Sequence, residues 1–241
     1  MYRLAAIGLA LLGGAGVAWG AVDAELDGLL EPWEVVEISS QGPGVLDAVL
    51  VERGDRIEAN QVLARLESGL EQIAVDLAQA RVEFARRRAE RNQDLYLKQL
   101  ISIHDKDEME TEVRIAELGL KEAAEKLAIR TIYSPLRGVI VARALAPGEY
   151  VGTEAIMTLA CIDPLHVEVI VPVERLGTIS KGMRAEVRPE SPVGGSYTAT
   201  VSIVDQVVDA ASGTFGVRLE LPNKSYRLPA GLKCKVRFLG N

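Results

Sequence analysis

The chain has few of the residue types on which catalytic and metal sites depend. Its 241 residues include two histidines, two cysteines and four methionines, and aromatic residues make up 5% of the total. A metal-transfer site needs clustered His, Cys or Met side chains, and a nucleophilic enzyme needs a base beside its nucleophile. Neither grouping occurs, since His104 and His166 lie in different segments and the methionines are scattered. We therefore expect no enzyme, no metal site and no cofactor.

A basic surface is also missing. The formal net charge is −7, and this excess of acidic residues disfavours nucleic acid as a partner. Hydrophobic residues make up 48% of the chain and charged residues 25%, which is ordinary for a folded soluble protein. The length suffices for one large domain or two small ones.

The first twenty residues differ in composition from the rest. Arg3 precedes an apolar run over residues 4–19, and Ala18-Trp19-Gly20 places small residues at the two positions that a signal peptidase reads. Residues 1–20 are therefore predicted to be a secretory signal peptide, cleaved before Ala21. The alternative is an uncleaved N-terminal anchor, although the run is just short of the roughly 18 to 20 residues that span a bilayer. Either way, the rest of the chain is expected outside the cytoplasm.

Export leaves two interpretations of the cysteines. Cys161 and Cys234 each lie in an apolar, alternating stretch. An oxidising compartment permits a disulfide between them, and burial of two free thiols is equally natural. The sequence does not decide between the two, because it does not show whether the sulfur atoms approach each other.

A short pattern occurs twice in the chain. In the first copy Gly44-Val45 is followed by Gly54-Asp55-Arg56-Ile57, and in the second Gly138-Val139 is followed by Gly148-Glu149-Tyr150-Val151. In both copies the second glycine follows the first by ten positions, and an acid follows that glycine. Matching β halves of this kind usually pack against each other as one module. We predict that residues 35–68 and 131–163 form this module, so that the segment between them projects from it.

The projecting segment, residues 69–130, has a helical period. Apolar residues recur three and four positions apart in two runs, which indicates two helices packed along a seam. The first run is Leu70, Ile73, Leu77, Ala80 and Phe84, and the second is Met109, Val113, Ala116, Leu120, Ala123 and Leu127. We predict an antiparallel hairpin of two helices, each about 25 to 30 residues or roughly 40 to 45 Å long.

The turn of this hairpin carries two further signals. Ser102, with Asp105 three residues later, predicts a capping-box start for the second helix. Arg87 and Arg91 continue the spacing of the first apolar run but are charged. A hairpin that only buried itself would not need arginines there, whereas a tip that docks on another protein could use them.

The remaining residues, 164–241, alternate in short stretches separated by Gly194-Gly195, Ser212-Gly213 and Pro229-Ala230-Gly231. Short strands between regular turn signals predict a small antiparallel β-barrel. Asp163-Pro164 is interpreted as a break before this barrel. Residues 173–179 are predicted to form a short helix, and residues 21–33 are interpreted as a polar lead-in with no clear period.

In this order the pieces resemble periplasmic adaptor subunits, or membrane fusion proteins, of the HlyD and RND efflux family. The resemblance runs from about residue 35 to residue 239 and depends on Gly54-Asp55-Arg56-Ile57, Ser134-Pro135-Leu136-Arg137-Gly138 and Gly148-Glu149-Tyr150-Val151, with Gly213-Thr214-Phe215 in the barrel. It implies a mostly β fold: a lipoyl-like barrel-sandwich hybrid, an inserted α-helical coiled-coil hairpin and a small antiparallel β-barrel.

The resemblance also implies a function. Such a protein links an inner-membrane transporter, with the RND type favoured, to a TolC-like outer-membrane channel for export of small molecules. It associates with the inner membrane in the periplasm and forms a ring, of six subunits by the resemblance. It binds neither cofactor nor nucleic acid.

The family's hairpin tip often shows Arg, then Leu four positions later, then Ser seven positions after that. Arg91, Leu95 and Ser102 have this spacing here, which implies that they dock on the outer-membrane channel. The alternative is that Arg91 is a solvated base, Leu95 a seam residue and Ser102 only the helix cap.

Many family members add a membrane-proximal β domain built from both ends of the chain. Here the chain ends at Asn241, directly after the last predicted strand, so we expect a short form without that domain. This leaves the transporter open, and an adaptor of an ABC exporter or type I secretion system is the main alternative. A lipoyl or biotinyl carrier is disfavoured, because it needs a tip lysine on a tight turn where the helical segment is inserted.

Overall fold

The computed structural model describes residues 25–240, so the signal peptide or anchor predicted for residues 1–20 lies outside the described part. Strands and helices follow one another in an order that places a helical pair inside a β protein. The strands are β1 Leu26–Ser39, β2 Gly44–Val49, β3 Arg56–Ile57, β4 Val62–Leu66, β5 Thr131–Tyr133, β6 Gly138–Arg143, β7 Tyr150–Val151, β8 Ala155–Pro172, β9 Arg184–Pro189, β10 Tyr197–Val204, β11 Thr214–Leu221 and β12 Lys233–Phe238. The helices are α1 Gly69–Leu97 and α2 Ile103–Ala128.

The two copies of the repeated pattern share one hydrophobic core. Leu46, Ile57 and Leu63 from the first half pack with Ile140 and Ile156 from the second, and all five are almost completely buried. Burial of such side chains stabilises a fold by about 1.5–3 kcal/mol each. The prediction of a single lipoyl-like module built from two distant segments is therefore confirmed.

The second β module is a closed barrel. Six strands follow in the order β1, β12, β9, β10, β11 and β8, and an antiparallel pairing of β1 with β8 closes the ring. Its core is rich in β-branched residues that alternate with outward-facing ones, including Val167, Val187, Val217 and Val236. Such residues fit a pleated surface that is buried on one face, and the predicted antiparallel barrel is confirmed.

Two predictions about strand limits are wrong. The segment before residue 35 is not a lead-in, because β1 begins at Leu26 and Leu30 is fully buried in the barrel. Asp163-Pro164 does not interrupt β8, since β1 pairs with β8 on both sides of that dipeptide. Both errors have one cause, which is that the partners of these segments are far away in the sequence.

The short helix predicted for residues 173–179 is also wrong in extent. Only Val173–Arg175 is helical, as a single 3₁₀ turn. The segment carries Gly177, whose φ is +85°, and a left-handed residue ends a helix at this point.

The helical hairpin is present, and it lies between β4 and β5. Arg86 forms a salt bridge with Glu117 at 2.5 Å, and Arg88 forms one with Glu112 at 2.7 Å. Ascending positions on α1 thus meet descending positions on α2, so the helices are antiparallel as predicted. α1 has 29 residues and α2 has 26, which corresponds to about 40 to 44 Å at 1.5 Å per residue.

The seam of α1 differs from the prediction. Leu70, Ile73, Leu77 and Phe84 are exposed by 81%, 64%, 54% and 57%. The inward residues are smaller ones on the neighbouring face of the helix, at heptad spacing: Val75, Ala78, Val82, Ala85 and Ala89. Small side chains let α1 approach the predicted seam of α2, where Met109 and Ala123 are buried. The larger apolar stripe of α1 faces outward.

Candidate functional site

The chain reverses direction between the helices within a short turn. Residues 98–102 connect the end of α1 at Leu97 with the start of α2 at Ile103. The N–H of Gln99 donates to the carbonyl of Tyr96 at 2.8 Å, and that of Leu100 donates to the carbonyl of Leu95 at 2.9 Å. Gln99 has a φ of +59°, which gives the left-handed residue common at helix C-termini. The tip therefore has a defined backbone.

Ser102 is the N-cap of α2, as its spacing from Asp105 predicts. Its hydroxyl accepts a hydrogen bond from the Asp105 N–H at 3.2 Å and donates to the Asp105 carboxylate at 2.7 Å, while its own N–H donates to that carboxylate at 3.0 Å. The hydrogen bond from the Ser102 hydroxyl lowers the pKa of Asp105. Much of the hydrogen-bonding capacity of Ser102 is thus used within the tip.

Arg91 and Leu95 lie one helical turn apart near the end of α1 and share a face. Arg91 is exposed, and its Nε donates to the Arg87 carbonyl at 3.2 Å. Within residues 25–240 its guanidinium forms no salt bridge, in contrast to Arg86, Arg87 and Arg88. Leu95 is 37% exposed. Within the described residues, no hydrogen bond joins the side chains of Arg91 and Ser102. The two side chains are therefore not coupled to each other at the tip.

The structure adds apolar residues that the sequence analysis missed. Leu97, Leu100 and Ile103 surround the turn and are exposed by 71%, 67% and 55%. A cluster of aliphatic side chains at the end of two polar helices is unfavourable in water and is typical of a binding surface. The signal was visible in the sequence as a run of Leu and Ile between charged helices, but the run does not follow a helical period.

A second apolar surface runs along one flank of the hairpin, and we call it the flank groove. Leu77 and Phe84 of α1 and Ile115 of α2 form its rims, and Ile115 is 65% exposed. Small residues form its floor, including Ala78, Ala85, Ala116 and Gly119. Towards the base of the hairpin, Leu70 and Ile73 continue the exposed stripe of α1.

The charges beside the flank groove are mixed. α1 contributes Arg81, and α2 contributes Glu112, Glu122 and Lys126. Glu112 is paired with Arg88 and Glu122 with Lys126 inside the same hairpin. The flank groove is therefore distinguished by its exposed apolar rims and not by its charge.

The base of the hairpin is fixed to the β module by Arg130. Its guanidinium bonds Glu71 of α1 at 2.5 Å and the carbonyl of Pro43 at 2.7 Å. About four fifths of the Arg130 and Glu71 side chains are buried. The pKa of Glu71 is lowered mainly by a hydrogen bond from its own backbone N–H, with a smaller contribution from Arg130. The tip is thus carried on an anchored rod.

The remaining open questions from the sequence concern the thiols and the membrane. Cys161 and Cys234 are both free and buried, and burial raises the pKa of the Cys234 thiol to about 11. In the described part of the chain no helix has the length and apolar character needed to cross a bilayer. Across the same residues no group of three or more His, Cys, Asp or Glu side chains is placed to hold a metal ion.

The architecture of the described residues is a closed barrel, a second β module and an inserted helical hairpin that is anchored at its base. Comparison with known families makes this specific. Residues 34–160 match the CzcB-like barrel-sandwich hybrid domain, and residues 164–241 match the CusB-like beta-barrel domain. The chain belongs to this family of efflux membrane fusion proteins, which are adaptors and not enzymes. The resemblance found in the sequence is confirmed.

Individual relatives are more distant. The chain is 25% identical over 237 residues to the multidrug resistance protein MdtE of Escherichia coli K12, with 86% of this chain and 62% of MdtE covered. It is 22% identical over 224 residues to the solvent efflux pump periplasmic linker SrpA of Pseudomonas putida, with 86% of this chain and 59% of SrpA covered. The chain thus spans about 60% of the length of these two relatives.

The fold is shared with solved adaptor structures. A MacA-MexA chimeric protein, which contains the α-hairpin domain of Pseudomonas aeruginosa MexA, superposes with a TM-score of 0.76 at 17% identity. The match covers 89% of this chain and 80% of the chimera. At this identity the similarity concerns the fold alone, including its inserted hairpin.

Replacing Ser102 by alanine tests the cap. The Ala variant loses the acceptor for the Asp105 N–H, and we expect a cost of about 1 kcal/mol with faster hydrogen exchange at the first amides of α2. A Ser102→Thr variant keeps a hydroxyl and should retain protection. Hydrogen exchange followed by mass spectrometry distinguishes the two, and equal protection in both variants would show that the hydroxyl does not support the helix.

Proposed function

We propose that this protein is a periplasmic adaptor that links an inner-membrane efflux transporter to a TolC-like outer-membrane channel for the export of small molecules. The observation that carries the proposal is the hairpin tip. Four exposed aliphatic side chains lie there, at the end of a helical hairpin whose base is fixed by Arg130: Leu95, Leu97, Leu100 and Ile103. A surface of this kind at the end of a rod about 40 Å long suits contact with a distant partner. The names of MdtE and SrpA refer to drug resistance and to a periplasmic efflux linker, which supports the same function.

At the tip we assign Arg91, Leu95 and Ser102 to docking on the channel. Arg91 has a guanidinium that is free of ion pairs within the described residues, so it is available to an acceptor on a partner. Leu95, together with Leu97 and Leu100, offers apolar area. Because the hydroxyl of Ser102 is engaged by Asp105, we assign Ser102 the role of holding the tip backbone in its docking shape.

Self-association into a ring is the second part of the proposal. The flank groove exposes large side chains such as Leu77 and Phe84 along the hairpin, and burial of this apolar area against a neighbouring subunit would be favourable. A contact of α1 with α2 of the next subunit is head-to-tail, and such contacts close into a ring when the rotation between subunits is suitable. We propose six subunits from the family resemblance, with the hairpins forming a tube through which substrate passes.

The transporter is assigned to the RND type. The barrel matches the family model of RND-associated adaptors, which supports this choice over an ABC exporter. The proposed location is the periplasm, in association with the inner membrane, because the partner transporter lies there and the N-terminal sequence predicts export.

Substitution of the tip tests the docking assignment. Arg91→Asp reverses the charge and Leu95→Ser removes apolar area, so either change should abolish resistance to exported compounds while leaving expression and copurification with the transporter intact. The measurement is minimum inhibitory concentration in a strain that lacks the native gene.

Arg114→Asp is the matched control, because Arg114 is an exposed arginine of α2 remote from the tip and its replacement should preserve export. Unchanged export in both tip variants would remove the assignment of Arg91 and Leu95.

Substitution in the flank groove tests self-association. Leu77 is 54% exposed, so Leu77→Asp should leave the melting temperature nearly unchanged. If Leu77 is buried between subunits, the loss of about 1.5–3 kcal/mol weakens association by roughly ten- to a hundred-fold. Sedimentation velocity at a concentration where the parent protein assembles measures the effect.

The control is Gln79→Asp, which introduces the same charge at an exposed position of α1 outside the flank groove. Identical sedimentation of the Leu77→Asp and Gln79→Asp proteins would contradict a subunit contact at this surface.

A further inference from the structure

The two β modules meet at one level of β8. On one edge of this strand, pairing with β6 extends to Ala160 and pairing with β11 begins at Leu165. Residues 161–164 therefore have no strand partner on that edge, although β8 continues through them. Backbone groups at such a gap must find other hydrogen-bond partners when they are buried.

Asn223, in the loop between β11 and β12, fills this gap. Its side-chain amide donates to the carbonyls of Ile162 and Leu228, both at 2.9 Å, and its side-chain oxygen accepts from the Leu228 N–H at 3.1 Å. Its backbone N–H donates to the Asp163 carboxylate at 2.9 Å. Asn223 and Asp163 are only 3% and 7% exposed, and buried polar groups with this many partners rigidify their surroundings.

The barrel-sandwich module contacts both Asp163 of β8 and the loop that carries Asn223. The second carboxylate oxygen of Asp163 lies 3.4 Å from the guanidinium of Arg137, which directly precedes β6. The guanidinium of Arg56, on β3, lies 5.0 Å from the ring centre of Tyr226, within the range of a cation–π contact. Arg56 of the barrel-sandwich module thus contacts the barrel loop directly, whereas Arg137 is linked to it through Asp163 of β8.

The opposite edge of β8 is closed at the same level. The register of β1 against β8 shifts between Pro32 and Glu34. Trp33, at that shift, packs on His166 with 4.6 Å between ring centres. The joint between the modules is therefore packed on both edges of the strand that crosses it.

We infer that residues 222–228 form a clasp that fixes the angle between the barrel and the barrel-sandwich module, so that the two move as one rigid body. The length of the hairpin makes this angle important. A tilt of about 10° at the joint displaces the far end of a ~44 Å helix by roughly 8 Å. The clasp fixes the position of the hairpin tip relative to the barrel, whichever partner the tip contacts. The inference therefore does not depend on the proposed export function.

The test removes Arg56, which contacts the clasp directly, and Arg137, which is linked to it through Asp163. Nitroxide labels at Val141→Cys on β6 and Thr200→Cys on β10, two exposed strand positions, report the distance between the modules by double electron–electron resonance. We expect one narrow distance in the parent protein and a distribution at least twice as wide in the Arg56→Ala/Arg137→Ala variant. A broad distribution in the parent, or an equal width in both proteins, would overturn the inference.

Arg53→Ala/Arg65→Ala is the matched control. Both arginines are exposed on the same module and form no salt bridge within the described residues, so their loss should leave the distribution narrow. If the distance distribution broadened equally in this control, general loosening of the module would explain the effect, and the inferred role of the clasp would be overturned. Because Cys161 and Cys234 are buried, protein without introduced cysteines should take up no label, which checks that the signal comes from the chosen pair.

Discussion

Pairing of β4 with β5 is the constraint on which the rest of the structure depends. Val62 lies opposite Tyr133 and Ala64 opposite Ile132, so residues that are about seventy positions apart become neighbours in one sheet. The helices leave the module after β4 and return before β5, and the N–H of Leu66 donates to the carbonyl of Arg130 at 2.8 Å. Because its two ends are held this close, the chain must reverse direction within the helical segment. An antiparallel hairpin achieves this while each helix buries one face against the other.

The same closure explains why the proposed docking site lies at the hairpin tip and not in a pocket. The β modules use their large aliphatic residues for their own cores, whereas the hairpin pairs through small residues such as Ala78 and Ala85 and leaves larger ones outside. Apolar area that the chain does not bury itself is available to partners. It is concentrated at the turn and along the flank groove, as expected of a protein that assembles with others.

The sequence predicts the repeated module because its signal is local. The glycines of the two copies, Gly54 and Gly148, both have φ near +90°, a conformation that glycine adopts without strain. The seam of α1 was mispredicted because two apolar stripes share the helix, and the larger side chains of the outer stripe gave the stronger pattern. Periodicity alone does not show which stripe faces the partner helix.

Features that depend on distant partners were missed for a different reason. The first half of β1 contributes to a barrel whose other strands lie more than one hundred residues away, so its short alternation was too weak to indicate a strand. The joint at Asp163 joins Arg137 with Asn223 through a single carboxylate, and the motifs of the resemblance do not show that these distant residues meet. Of the tip, the family spacing indicated Arg91, Leu95 and Ser102, whereas Leu97 and Leu100 emerged only from their exposure.

The central claim is that closure of the two β segments makes residues 69–130 project as a straight rod. The most direct measurement is the distance between spin labels near the base and the tip of α1, at Gln72→Cys and Lys98→Cys. A continuous helix of 26 residues between these positions predicts about 39 Å between their backbones. A single distribution near that value, adjusted for label length, supports the account, and a main distance below about 25 Å, as in a folded-back bundle, contradicts it.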